Sequence, residues 1–72
     1  MRVSQLLHVM DKNDEVVIND FGKAVDKMTI YEGLVKGINR DNPINKMCVA
    51  CICASDDTIY IVAEFPKGKG GE

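Results

Sequence analysis

Cys48-x2-Cys51-x-Cys53 is the densest group of reactive side chains in this 72-residue sequence. A Cys-x2-Cys pair holds zinc when a tight turn makes both sulfurs converge. Here the pattern falls inside Lys46 to Ala54, an apolar segment that reads as a strand. A period of 2 sends Cys51 and Cys53 to one face and Cys48 to the other. His8 is the single histidine and completes at most one Cys3His set. The three thiols are therefore expected to be buried, reduced packing groups that bind no metal. No His, Arg or Lys adjoins them in sequence to stabilise a thiolate, which speaks against a nucleophilic cysteine.

The remaining candidates are scattered. His8 falls off the main apolar stripe of a short helix, and a general base needs a nucleophile and an orienting group that the sequence does not name. Asp11-Lys12-Asn13-Asp14-Glu15 has a calcium-loop flavour, but the glycine and distal glutamate of an EF-hand are missing. The aspartates read as turn formers. Tyr31 and Tyr60 are expected on the strand faces opposite the more apolar ones, where an aromatic ring stacks a nucleobase or anchors an interface. Lys27, Lys36, Arg40 and Lys46 lie on or beside the same strands and can meet phosphates. Tyr31, Tyr60, Lys36 and Arg40 are thus the candidate ligand-binding residues, set against the plainer role of covering a subunit interface or the core's rim. No catalytic residue, metal ligand or cofactor is assigned.

The elements that must position these residues follow from local pattern. Ser4 is a good N-cap, and Val3, Leu6, Leu7 and Met10 keep the i, i+3, i+4, i+7 spacing of an amphipathic helix over residues 4–10. So short a helix must dock to be stable. Val16, Val17 and Ile18 read as a strand. Asp20-Phe21-Gly22-Lys23 reads as a turn. Met28 to Ile38 alternates with a mostly apolar even face, and Gly33 within it suggests a bulge or bend. Lys46 to Ala54 is apolar on both faces, which predicts a central strand covered on both sides. Ser55-Asp56-Asp57 is a tight turn, and Thr58 to Phe65 alternates cleanly, so the last two strands form a hairpin. The fold expected is α+β: a short N-terminal helix packed on a strongly bent antiparallel sheet, or a partly open small β-barrel, of four to five strands. Residues 1–65 make one domain and 66–72 a flexible tail.

Composition narrows the function classes. The hydrophobic fraction of 46% suits a folded domain. A formal charge of −2 argues against duplex nucleic acid, though two or three well-placed cations suffice for a small anion. No signal peptide and no run of about 20 apolar residues is found, so the chain is expected in the cytoplasm, away from membranes. A core this small predicts a homo-oligomer.

Val3-Ser4-Gln5-Leu6-Leu7 leading into Asp14-Glu15-Val16-Val17-Ile18, and Ile30-Tyr31-Glu32-Gly33-Leu34-Val35 leading to Asp57-Thr58-Ile59-Tyr60-Ile61, carry a resemblance. They resemble short uncharacterised proteins of bacteriophages and mobile elements of Gram-positive bacteria, which open with a Val-Ser-Glu-Leu-Leu helix and contain a Tyr-x-Gly-x-Val strand. Gln5 departs from that pattern, and the loop between Gly22 and Met28 is long. A looser likeness, of architecture only, is to Sm-like barrels, whose RNA-contacting motifs are not recognisable here. The phage resemblance implies a compact accessory protein in a host cytoplasm, acting by binding. The expectation is a non-enzymatic anti-defence protein that captures a host protein or sequesters a small nucleotide-like signal. The alternatives are a structural or regulatory interaction module without small ligand, and a small oligomeric hydrolase built on His8 with Asp11 or Asp14.

Overall fold

The structure, a computed structural model, is described for residues 1–66. The expected tail lies almost wholly outside the described residues. One short helix, α1 (Val3–Val9), precedes four strands, β1 (Glu15–Asp20), β2 (Thr29–Leu34), β3 (Cys48–Ser55) and β4 (Thr58–Glu64). Short 3-10 turns at Val25–Lys27, Val35–Gly37 and Pro43–Lys46 fill the connections. This is an α+β fold dominated by its sheet. No helix among the described residues is long and apolar enough to cross a membrane.

The sheet order is β2-β1-β4-β3. β1–β2 and β3–β4 are antiparallel pairs, but the central pair β1–β4 is parallel, with Val16 opposite Ile59 and Ile18 opposite Ile61. The sheet is therefore mixed rather than antiparallel. It stays open, with β2 and β3 as edges, and does not close into a barrel. Gly33 does not split a long strand in two. β2 ends at Leu34 and the chain turns into the 35–37 turn.

The core lies on one face. Val16 and Ile18 of β1 and Ile61 and Ala63 of β4 are buried there, roofed by Val3 of α1 and by Val35, Ile44 and Met47 from the connections. Leu6, Leu7 and Met10 pack against this cluster, so the expected docking stripe of α1 is the one used. Its N-terminus differs. Arg2, not Ser4, precedes the first turn, and the Arg2 N–H donates to Gln5 Oε1 at 2.8 Å. A position-N3 glutamine reaching back to the cap amide is half of a capping box, and it places the cap two residues earlier than the serine suggests.

Two bulges change which side chains share a face. Between Val49 and Cys51 the β3–β4 register slips by one residue. Cys48, Cys51 and Cys53 then stand opposite Glu64, Val62 and Tyr60 in turn. Partners in register share a face, so all three thiols lie on one side of the sheet rather than two. They are also not buried. β3 is an edge strand, Cys51 and Cys53 are exposed and Cys48 is half-buried. The second slip, between Ile18 and Asn19, leaves Tyr31 opposite Ile18 on the core face. Tyr31 is half-buried against the core, while Tyr60 stands on the uncovered face.

Candidate functional site

The polar turns at one end of the molecule do more than connect elements. After α1 the chain reverses through Asp11–Asp14, where Asp11 Oδ1 accepts from the Asn13 amide at 2.8 Å and Asp14 Oδ2 from the Asp11 amide at 3.2 Å. Short acidic side chains favour such local bonds over helix continuation. The turn is then fastened to the segment after β2. The Val35 amide donates to the Asp14 carbonyl at 2.9 Å and the Lys36 amide to the Lys12 carbonyl at 3.0 Å. Two lysines distant in sequence are thereby held side by side.

The next loop is tied from within. Asn45 Nδ2 donates to the carbonyl oxygens of Asn39, Arg40 and Asn42 at 2.8, 3.2 and 3.2 Å. Asn42 Oδ1 accepts from the Ile44 amide at 2.9 Å, just ahead of Pro43, so Asn42 caps the 43–46 turn. Pro at the first turn position suits that cap. Arg40 is thus carried by a loop whose backbone is hydrogen-bonded on both sides.

Between α1, the Asp11–Asp14 turn and these loops lies a groove of about 580 Å³. Leu7, Met10, Val35 and Ile38 give it an apolar floor, and Ser4, Asn39 and Asn45 add neutral polar groups. Its ionisable lining consists of His8, Lys12, Lys36 and Arg40, with no Asp or Glu among the described lining residues. Asp11 and Asp14 use carboxylate oxygens on their own turn, as above. Among the described residues, none of the three cationic side chains takes part in the side-chain hydrogen bonds of the fold. Three cationic side chains thus line one groove with no acidic lining residue, an arrangement in which an anion gains charge-assisted bonds. A volume in the ~300–1,000 Å³ range of small-molecule sites fits a ligand of nucleotide size.

Of the four residues expected from sequence, Lys36 and Arg40 meet in this groove. Tyr31 lies behind it. Its hydroxyl donates to the Leu34 carbonyl at 2.6 Å, and its ring packs over Gly33 and Gly37. Gly33 has φ of 153°, and a Cβ at Gly37 would overlap the Tyr31 hydroxyl. Tyr31 is therefore a buttress for the 35–37 turn rather than an exposed stacking platform. Tyr60 is on the far face of the sheet, so the two tyrosines do not converge within one chain. Sequence reasoning does not single out Lys12, Asn39 or Asn45 as ligand-binding residues, and it gives His8 a role only in the alternative of a hydrolase. Their signal was the two Asx-rich turns flanking β1 and β2, which topology brings together. No cluster able to hold a metal ion occurs among the described residues. No protein-family model, curated protein or solved structure matches the chain.

Proposed function

We propose that this chain is a small non-enzymatic binding protein that holds a phosphate-bearing small molecule in the cationic groove. The observation that carries the reading is the acid-free convergence of Lys12, Lys36 and Arg40 above an apolar floor. The cations take phosphate oxygens. Leu7, Met10, Val35 and Ile38 accept the less polar part, such as a base or sugar edge. In the cytoplasm of a phage-infected cell, the setting that the resemblance implies, such a protein sequesters a nucleotide-like signal.

Thermal melting and calorimetry against pyrophosphate, cyclic dinucleotides and ADP-ribose-type nucleotides test this, with chromatography of the ligand afterwards. A ligand at about 100 times its Kd adds about 2.7 kcal/mol to stability. In a domain of this size that raises Tm by roughly 10 °C or more. The reading expects such a rise with at least one phosphorylated ligand, recovered unchanged. No rise with any of them, or appearance of a cleavage product, contradicts it.

A second reading is favoured by a different observation. The sheet face away from α1 is bare, with Leu34, Tyr60, Cys51 and Cys53 exposed on it. A protein-interaction module would use that face and ignore the nucleotides.

A further inference from the structure

The outer edge of β3 is protected over only part of its length. At its start the N-terminal segment pairs with it. Arg2 bridges Cys48, the Val49 amide donates to the Met1 carbonyl at 2.7 Å, and the Val3 amide to the Met47 carbonyl at 2.8 Å. Beyond Val49 nothing among the described residues covers the edge, and every residue from Ala50 to Ser55 is exposed. Edge strands are normally blunted by charge, proline or cover. Cys48–Ser55 has no charged residue and no proline.

The direction of the free backbone groups is set by the adjoining hairpin. Its two-residue turn, Asp56 and Asp57, has positive φ at both positions (50° and 66°), as a type I′ turn requires. Ser55 and Thr58 then form the hydrogen-bonded pair that closes the turn. In an antiparallel ladder bonded and non-bonded pairs alternate. Cys53 and Cys51 therefore bond inward to β4, and the N–H and C=O groups of Ile52 and Ala54 point outward.

We propose that the 51–55 segment pairs antiparallel with the same segment of a second copy, about a two-fold axis at Cys53. Ile52 and Ala54 of each copy then exchange backbone hydrogen bonds with Ala54 and Ile52 of the other. The neighbouring register, centred on Ile52, would set Ser55 of the second copy against Val49, whose amide is already taken by Met1. Centring on Cys53 avoids that collision. It also brings the Asp56-Asp57 turn of the second copy up to the segment that carries Arg2, acid toward base, on both sides of the axis. No like charges oppose one another along the strand. Ile52, 48% exposed, gains apolar neighbours from the other copy. The two sheets join into one of eight strands. This dimer is independent of the groove, none of whose lining residues belongs to β3.

The register has a chemical signature. Cys53 faces Cys53 of the second copy in a non-hydrogen-bonded pair, with Cα atoms about 4.5 Å apart, inside the range that a disulfide spans. Diamide, which takes up the two electrons and two protons that a thiol pair loses, should trap the dimer. Sedimentation of the full chain in reductant is expected to give the mass of two chains. Diamide should give a covalent dimer with wild type, Cys48→Ser and Cys51→Ser, and none with Cys53→Ser. Ala54→Pro removes an outward amide at a position where an edge strand accepts proline, and should sediment as a folded monomer. If that variant does not fold, Ile52→Lys places a charge on the edge and should do the same. A wild-type monomer up to millimolar concentration overturns the proposal. So does a trapped dimer that survives Cys53→Ser, or an Ile52→Lys chain that remains dimeric.

Discussion

The groove beside α1 and the free half of β3 are built from opposite materials. The groove is made of turns, with Asp11, Asp14, Asn42 and Asn45 each spending side-chain oxygens or amides on nearby backbone. Its remaining cations are left facing outward. The β3 edge is regular backbone with small or apolar side chains and no charge. The first region can select a small charged solute but offers no repeating backbone pattern. The second offers only backbone and apolar surface, and is suited to another strand. On the two proposals above, the small solute and the second copy use separate parts of one small fold.

The largest expected effect removes the distinction altogether. Ile61 is fully buried on a central strand, opposite Ile18 on one side and Ile52 on the other. Ile61→Ala should cost about 2–5 kcal/mol, a large share of the ~5–15 kcal/mol of a typical domain. Urea unfolding should show the loss, and ligand binding and self-association should fail together. Retention of either one by an unfolded chain would show that the region does not depend on the sheet.

Lys36→Glu and Arg40→Glu should separate the two regions. A hydrogen bond to a charged group contributes about 1.5–3 kcal/mol, so each change should weaken a phosphorylated ligand more than about tenfold by calorimetry. Exposed positions of this kind alter stability by about 0.5 kcal/mol or less, and self-association should be unchanged. Binding that survives both substitutions would move the ligand elsewhere.

A smaller effect is expected at the joint behind the groove. Gly37→Ala brings a methyl onto the Tyr31 hydroxyl and must displace it from the Leu34 carbonyl. Losing that bond should cost roughly 1 kcal/mol, visible in thermal melts and accompanied by weaker ligand binding. Smallest is Gln5→Ala. It removes an exposed cap bond to the Arg2 amide, worth about 0.5 kcal/mol. Circular dichroism should show slight fraying of α1 with groove affinity nearly intact.

Much of the architecture was legible locally, and what was not legible has identifiable causes. The stripe Val3, Leu6, Leu7, Met10 marks a docked helix, because only a burial partner makes a seven-residue helix stable. The β3–β4 hairpin follows from two alternating runs around Asp56-Asp57. The parallel β1–β4 contact is non-local, and no short-range pattern encodes it. β3 was expected at the centre because both its faces are apolar, yet Ala, Cys and Ser expose little apolar area each, so an edge position is tolerated. Each bulge inverts side-chain phase by one residue. That is why Cys48 joined Cys51 and Cys53, and why Tyr31 turned inward. Lys36 and Arg40 were recognisable as free cations near strand ends. Lys12 was not, because the Lys36–Lys12 backbone bond that pairs them depends on β1 and β2 being in register.

The most direct measurement is a titration of the 15N-labelled chain with inorganic pyrophosphate, followed amide by amide by NMR. A phosphate site in the cationic groove should move amides within residues 7–12 and 35–45. The β3 amides from Ala50 to Ser55 should stay in place, and the shifts should vanish in Lys36→Glu. Absence of any shift in the groove at millimolar pyrophosphate, or shifts centred on Cys53 and Tyr60 instead, would contradict the assignment of that groove as the ligand site.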